Sequence, residues 1–154
     1  LVSRAQQQRV ADAVAGAVSR GAKVLCGGSA STEPAFGYQA TVLAGVSPHD
    51  EILQDEIFGP VLGILTVKND EEALKIASNS KYGLHASVFT QDIDRAFHMA
   101  KSLPCGTVSV NTFSEGDIKT PFGGYRQSGS LSRDQGTEAL DQYLQTKTIW
   151  ISHS

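Results

Sequence analysis

The fold class is decided by residues 61–110, which read VLGILTVKNDEEALKIASNSKYGLHASVFTQDIDRAFHMAKSLPCGTVSV. Three short apolar segments in this stretch have the length and composition of buried strands. They are residues 61–67, 84–90 and 107–110. Between them, apolar residues recur at helical spacing after Asn69 and again after Asp92. Alternating strands and helices with short connections predict an α/β fold, a mostly parallel sheet with helices on both faces.

Outside this stretch the pattern is less regular. Residues 5–20 predict an amphipathic helix, because Val10, Val14 and Val18 recur every four residues. Residues 47–60 contain Pro48 and a Gly-Pro pair, which disfavour long regular structure. The remaining predicted elements are strands at 23–26, 38–43 and 146–151 and a helix at 133–143.

Composition excludes several classes of protein. The 154 residues have the length of one domain, which typically has about 100–200 residues. A net charge of −3 argues against a nucleic-acid binder, and no apolar run approaches the about 18 residues of a membrane span. The four histidines are scattered, so we expect no metal site. The two cysteines are far apart in sequence, which argues against a disulfide scaffold and suits the reducing cytoplasm.

The segment at residues 54–60 reads QDEIFGP and has two interpretations. Its carboxylates next to an aromatic and a rigid Gly-Pro turn could present a ribose-binding carboxylate beside a ring that packs on a flat ligand. Alternatively it is an exposed acidic turn with Phe58 in the core.

The segment at residues 120–129 reads TPFGGYRQSG, with three glycines in ten residues. Such a loop could have a backbone that must approach another group closely. Alternatively it is a glycine-rich hinge between two elements.

Four segments together resemble the NAD(P)-dependent aldehyde dehydrogenase superfamily. Residues 55–61 read DEIFGPV and resemble the family signature EEIFGPV. Residues 80–90 read SKYGLHASVFT and resemble its NSKYGLAAxVFT block. GTVSVN at 106–111 and PFGGY at 121–125 follow in the family's order.

The resemblance implies an enzyme that oxidises an aldehyde to the carboxylic acid with NAD or NADP. In that family a thiolate attacks the aldehyde, hydride passes to the nicotinamide, and water hydrolyses the resulting thioester. The nucleophilic cysteine and general-base glutamate lie upstream of the matched segments, so we expect this chain to be a C-terminal fragment without activity of its own. By the same resemblance, residues 1–144 belong to the catalytic domain and its lead-in segment, and residues 145–154 form an oligomerisation strand and tail.

The resemblance also assigns roles to individual positions. Glu56 matches the carboxylate that binds the nicotinamide-ribose hydroxyls, and Phe58 matches the aromatic beside the nicotinamide ring. Gln6 and Arg9 match positions that reach the same part of the cofactor. On the substrate side, the positions that match the tunnel and its mouth are Phe122, Asn111 and Phe113.

The substrate and partners are expectations of the same kind. The acidic loop with Glu115 and Asp117 resembles the branch that includes γ-glutamyl-γ-aminobutyraldehyde dehydrogenase, which implies an aminoaldehyde substrate. Alternatively it is a solvated acidic loop without a role in substrate binding. We expect the parent enzyme to be a cytoplasmic homo-oligomer, a dimer or a tetramer. The alternative is a non-catalytic folded or oligomerisation module, whose terminal strand adds to a neighbouring sheet.

Overall fold

The computed structural model describes residues 1–31, 33, 35–113, 116–130 and 132–153. The chain divides into two units, each described here by itself. They are Leu1–Asn69 and Asp70–Ser154.

The first unit is built on helix α1, Arg4–Ser19, which confirms the predicted amphipathic helix. Ser3 caps its N-terminus, because the Ser3 hydroxyl accepts a hydrogen bond from the backbone N–H of Gln6 at 3.2 Å. At the other end, Gly21 adopts a left-handed backbone with φ +106°, the conformation for which glycine is the favoured residue. Val10, Val14 and Ala17 form the buried face of the helix.

Five strands and a second short helix follow in the first unit. They are β1 Lys23–Cys26, β2 Ala30–Ser31, β3 Gly37–Tyr38, β4 Thr41–Ala44, α2 Glu51–Gln54 and β5 Val61–Ile64. The strand order is β1-β4-β5, with β1 antiparallel and β5 parallel to the central β4. β2 and β3 form a separate antiparallel pair. The single strand predicted at 38–43 is therefore wrong, because β3 and β4 are two strands that belong to different sheets.

The core of the first unit lies between α1 and the central strand. Leu43 of β4 and Val10 of α1 are fully buried, and Ile52 of α2 joins the same apolar cluster. Burying these side chains together stabilises the packing of α1 and α2 on the sheet. Helix α1 is therefore fixed relative to the segment that connects α2 to β5.

The second unit repeats the predicted alternation of helices and strands. Its elements are α3 Asp70–Ser78, β6 His85–Val88, α4 Ile93–Ser102 and β7 Thr107–Val110. β6 and β7 are parallel, from His85 opposite Thr107 to Val88 opposite Val110. Asp92 caps α4 by accepting hydrogen bonds from the backbone N–H groups of Asp94 and Arg95.

These elements confirm the α/β class and refine the sheet. The parallel pairs β4–β5 and β6–β7 lie in two different sheets, and the other two strand pairs are antiparallel. Apolar runs predict which residues form strands, but a strand's partners depend on contacts far along the chain. Within the described residues, two strand pairs are parallel and two are antiparallel.

The end of the chain differs from the prediction. In place of the helix expected at 133–143 there is a short 3-10 helix, Thr137–Gln142, in which the Leu140 side chain is exposed. A helix with no covered apolar face lacks the packing that stabilises most helices. Residues 144–153 form neither helix nor strand and are exposed, so the strand expected at 146–151 is absent from this single chain. A strand requires a neighbour for its N–H and C=O groups.

The helices of the described ranges include none with the length and apolar character of a membrane span.

Candidate active site

Residues 56–60 form an exposed turn between α2 and β5 in the first unit. The side chain of Glu56 is exposed, and Phe58 is 67% exposed, so the interpretation that places Phe58 in the core is wrong. Phe58 also has a left-handed backbone, with φ +52°. This conformation is uncommon for a residue with a side chain and persists where the surroundings hold it.

Two side chains of α1 hold this turn through its carbonyl groups. The Nε2 atom of Gln6 donates to the carbonyl oxygen of Ile57 at 2.8 Å and to that of Phe58 at 3.1 Å. Arg9 donates from Nη2 to the carbonyl oxygen of Glu56 at 3.2 Å. The four predicted cofactor residues thus lie side by side, and the contacts of Gln6 and Arg9 here are to the main chain.

Gly59 continues the contact with α1 because it has no side chain. A Cβ atom at this position would lie 2.5 Å from Cγ2 of Val10, which is too close for any real contact. The next residue is fixed from the sheet side, since the backbone N–H of Thr41 donates to the carbonyl of Pro60 at 2.8 Å. The turn is therefore held from α1 and from the start of β4.

An ion pair that the sequence did not predict fixes α2, which leads into the turn. The guanidinium of Arg20 donates to both carboxylate oxygens of Asp50, from Nε at 2.8 Å and from Nη2 at 2.7 Å. Asp50 is buried and also caps α2 by accepting from the backbone N–H of Ile52. Hydrogen bonding from Arg20 holds the pKa of the Asp50 carboxyl below its ordinary value, although burial alone would raise it.

In the second unit, Asn111 directly follows β7 with a left-handed backbone, φ +55°. Its side-chain amide makes two hydrogen bonds to the main chain of Thr90. Nδ2 donates to the Thr90 carbonyl at 2.8 Å, and Oδ1 accepts from the Thr90 N–H at 2.9 Å. The main-chain N–H of Asn111 donates to Val88. Asn111 therefore extends the pairing of β6 and β7 by one residue and borders a cleft of about 440 Å³.

Phe113, two residues further on, is 83% exposed and contacts His85. The two rings are 5.3 Å apart and nearly perpendicular, which is a favourable aromatic geometry. Nε2 of His85 lies 2.9 Å from the hydroxyl of Ser109, a buried residue on the adjacent strand. The sequence placed His85 among the scattered histidines and did not predict its contact with Ser109; the available signal was a polar residue within each of two predicted buried strands.

Asp117 is exposed in a tight turn of the acidic loop. Its Oδ1 accepts from the backbone N–H of Lys119 at 2.9 Å, and its main-chain carbonyl accepts from Thr120. This carboxylate is thus placed by local hydrogen bonds. Glu115, the other predicted acidic residue, lies outside the described residues.

The glycine-rich segment at 120–129 packs closely against its own unit. The backbone N–H groups of Tyr125 and Gly106 both donate to the carbonyl of Gly83, at 2.8 and 3.0 Å. A Cβ atom on Gly106 would overlap the carbonyl of Gly123, so close backbone approach is the correct interpretation of these glycines. Phe122 is half-buried beside this contact, and its carbonyl accepts from Asp134 at 2.8 Å.

Arg126 attaches the same segment to α3. Its Nη1 atom donates to the carbonyl of Ser78, the last residue of α3, at 2.7 Å and also to that of Ser80. A cation at this end of a helix is favourable, because the last carbonyl groups lack partners within the helix. The sequence had offered no separate role for Arg126.

Neither cysteine has the setting of an activated nucleophile. Cys26 is exposed at the end of β1, and Cys105 is partly buried ahead of β7. Burial raises the pKa of the Cys105 thiol, which lowers the fraction of reactive thiolate. Within the residues that the structure describes, no three His, Cys, Asp or Glu side chains come together as metal ligands.

Comparison with known proteins places these observations in one family. Residues 1–149 match the profile described as the aldehyde dehydrogenase family. The aminoacetaldehyde dehydrogenase of Pseudomonas aeruginosa is 43% identical over 124 residues, which are 80% of this chain and 25% of that protein. The NADP/NAD-dependent aldehyde dehydrogenase PuuC of Escherichia coli is 42% identical over 134 residues, covering 87% of this chain and 26% of that protein.

Solved structures agree with the sequence comparison. The aldehyde dehydrogenase of Bacillus cereus, determined as its NAD+ complex, superposes with a TM-score of 0.91 and 38% identity. The match covers 100% of this chain and 31% of that protein. This chain therefore spans about a quarter to a third of the length of these relatives. From the matched profile, the sequence identities and the shared fold, the chain belongs to the aldehyde dehydrogenase family.

Proposed function

We propose that this chain is part of an NAD(P)-dependent aldehyde dehydrogenase that oxidises an aldehyde to the carboxylic acid. The observation that carries the proposal is the turn at residues 56–58. There an exposed carboxylate and an exposed aromatic ring stand two residues apart on a main chain held by α1. The NAD+ complex of the Bacillus cereus relative supports the choice of cofactor.

Glu56 and Phe58 have the chemistry that a nicotinamide nucleotide requires. A carboxylate has two oxygens and accepts hydrogen bonds from both hydroxyls of a ribose at once. The flat face of Phe58 packs beside a flat ring of the cofactor. The bound cofactor supplies the hydride chemistry, and these two residues orient it.

Residues of the second unit shape the substrate channel in this proposal. Phe122 lines it, and Asn111 and Phe113 form its mouth. The exposed ring of Phe113 and the fixed backbone of Asn111 support this assignment, because a channel mouth needs accessible apolar surface on a rigid support.

The nucleophilic cysteine and the general-base glutamate are supplied by residues outside these 154. The raised pKa of Cys105 and the partial coverage of the relatives support this division. We therefore expect no aldehyde-dependent NADH formation by this chain alone. Turnover by a clean preparation of the 154-residue polypeptide would refute this part of the proposal.

The role of Glu56 is tested in the full-length enzyme. In Glu56→Ala the cofactor loses an anchor, so we expect hydride transfer to slow by about 10- to 100-fold, as for other losses of alignment. Asp55→Ala removes the neighbouring exposed carboxylate at the end of α2, just before the turn, and serves as the control. Unchanged single-turnover rates in Glu56→Ala would count against the proposal.

For the substrate we propose an aminoaldehyde, with Glu115 and Asp117 favouring a cationic or polar group at the channel mouth. The identity to an aminoacetaldehyde dehydrogenase and the exposed Asp117 carboxylate support this choice. Asp117→Asn removes the charge and retains the oxygen that accepts from Lys119, so the turn is preserved. Together with Glu115→Gln it should lower kcat/KM for aminoaldehydes relative to aliphatic aldehydes of equal length; an unchanged ratio would exclude the charge effect.

A second candidate is a non-catalytic folded or oligomerisation module, favoured by the exposed terminal segment. Trp150 there is 90% exposed, in the region assigned to an oligomerisation strand. We propose that residues 145–154 pair with another copy in a homo-oligomer. We also propose a cytoplasmic location, because free cysteines are typical of that reducing compartment. Deleting residues 145–154 from the full-length protein should reduce the number of subunits per particle, as measured by light scattering. An unchanged number of subunits would rule out this role.

A further inference from the structure

We propose that His85 is a positioning residue for Phe113, and that the two rings together determine which aldehydes the channel mouth accepts. In this view His85 contributes to substrate selection and takes no part in the chemistry. The inference rests on the proposed function, since it takes Phe113 to lie at the mouth of the substrate channel.

His85 is held by its neighbour strand. It is the first residue of β6, it pairs with Thr107 of β7, and its side chain is half-buried. Nε2 of His85 lies 2.9 Å from the hydroxyl of Ser109, a buried residue of β7 two positions beyond Thr107. A ring nitrogen that is hydrogen-bonded to a buried partner cannot turn freely. The orientation of the imidazole is therefore fixed from β7.

This orientation matters because of the second contact of the imidazole. The Phe113 ring lies 5.3 Å from it, between centroids, and the two ring planes meet at 87°. Such an edge-to-face contact depends on direction as well as on distance, because the positive edge of one ring meets the negative face of the other. An imidazole fixed by Ser109 therefore offers Phe113 one preferred orientation.

The Phe113 ring needs a support of this kind, because it is exposed and lies beyond the end of β7. The main chain is anchored two residues earlier, where the Asn111 side chain binds the N–H and carbonyl of Thr90. Those hydrogen bonds fix where the segment starts, but they leave the side-chain torsions of Phe113 free. An exposed side chain without a partner samples several rotamers. The contact with His85 favours one of them.

The polar character of this sheet face also supports a role for His85 beyond packing. An apolar residue would fill a strand position without any partner, whereas a half-buried histidine must satisfy its ring nitrogens. Ser87 lies on the same face of β6, since alternate residues of a strand share a face. Its hydroxyl is buried and has no hydrogen-bond partner among the residues that the structure describes.

A fixed ring at the channel mouth predicts a class of substrate. The reacting carbon of an aldehyde must lie at the nucleophile inside the channel, so only the far end of a long aldehyde reaches the mouth. An aromatic ring there offers apolar surface to that end. We therefore expect His85 and Phe113 to favour long-chain aldehydes over short ones.

The test compares hexanal with acetaldehyde in the full-length protein, and its readout is the ratio of their kcat/KM values. His85→Ala should lower the ratio by about threefold or more, mainly through a higher KM for hexanal, because the freed Phe113 ring binds it less well. Phe113→Ala should lower the ratio at least as much. Added to Phe113→Ala, His85→Ala should change it by less than about 1.5-fold, because residues in contact are not additive.

Three further variants separate the ring from its hydrogen bond and from general effects. His85→Phe keeps an aromatic ring beside Phe113, so its ratio should stay within about twofold of wild type. His85→Gln keeps a polar group for Ser109 but has no ring, so its ratio should fall as in His85→Ala. His98→Ala is the matched control, because it removes an exposed histidine from α4 of the same unit, and its ratio should not change.

The proposed function and the inference fail in different ways. If Phe113→Ala leaves the ratio unchanged, Phe113 does not lie at the mouth, and that part of the proposed function fails together with the inference. If Phe113→Ala lowers the ratio and His85→Ala only lowers activity on both aldehydes equally, His85 is structural and the inference alone fails. An undiminished effect of His85→Ala in the Phe113→Ala background would also overturn it, because His85 would then act without Phe113.

Discussion

The guanidinium of Arg20 donates two hydrogen bonds to the carboxylate of Asp50, joining the C-terminal end of α1 to the N-terminus of α2. The carboxylate is buried, and the guanidinium is partly exposed. A charge pair with two hydrogen bonds fixes both orientation and distance. This pair fixes the start of α2, the helix that leads into the turn at 56–60.

Asp50→Asn should destabilise the first unit at neutral pH, by about 1 kcal/mol, the scale of a lost charged hydrogen bond at a partly exposed site. Asparagine still caps a helix, so the change removes the charge and one of the two acceptors for Arg20 while one oxygen remains for the cap. Because the folded-state pKa of Asp50 lies below its ordinary value, the pair's contribution is complete above about pH 4 and is lost as pH falls through the folded pKa.

The measurement is urea unfolding of wild type and variant between neutral and acid pH. The two stabilities should converge on acidification. Asp12→Asn, which alters one exposed bond from Gln8, is the control and should show little effect. A difference that persists undiminished at acid pH would contradict the assignment.

Gly59→Ala should displace the turn, because its Cβ would fall 2.5 Å from Val10 Cγ2. Overpacking of this kind typically costs about 1–3 kcal/mol. Adding Val10→Ala removes the clash, so the double variant should lose less stability than the two single losses added together. Strict additivity in thermal unfolding would show that the turn moves away without strain.

Asn111→Gly and Asn111→Ala separate two contributions at the end of β7. Both remove the hydrogen bonds to Thr90, and glycine retains ready access to φ +55°. The free energy of unfolding of Asn111→Ala should therefore be about 1 kcal/mol lower than that of Asn111→Gly, because alanine is strained in a left-handed backbone. Equal stabilities in urea would mean that the backbone relaxes after the side chain is removed.

Iodoacetamide should alkylate Cys26 before Cys105, as followed by mass spectrometry of the full-length enzyme. Cys26 is exposed, whereas Cys105 is partly buried and burial raises its thiol pKa. Because neither is assigned to catalysis, the double variant Cys26→Ser with Cys105→Ser should retain aldehyde oxidation. Loss of activity with either single serine would contradict the assignment of the nucleophile to another part of the enzyme.

Helices and strands were predictable where residues within the segment itself determine them. The helix after Asp92 and the strand Thr107–Val110 follow from a cap, an apolar stripe and an apolar run. The helix expected at 133–143 does not form: Leu140 is 60% exposed, and a short 3-10 helix, Thr137–Gln142, takes its place. Periodicity cannot reveal whether a covering surface is present.

The sequence predicts positions for the candidate site but none of their contacts. The family resemblance proposes cofactor roles for Glu56 and Phe58, but no pattern reveals that Gln6 binds the carbonyls of the turn. Side-chain bonds to the main chain depend on backbone direction, which local sequence does not encode. The same reason explains why Asn111 and Arg126 turned out to be bonded to the backbone of other segments.

The left-handed backbone of Phe58 has a consequence for laboratory evolution of this protein. Glycine or asparagine would adopt φ +52° with less strain, so a screen for thermal stability alone would select either residue at this position. Each substitution would discard the exposed ring. Thermal stability and the cofactor role proposed for Phe58 therefore favour different residues at this position, and variant libraries should be screened for both properties together.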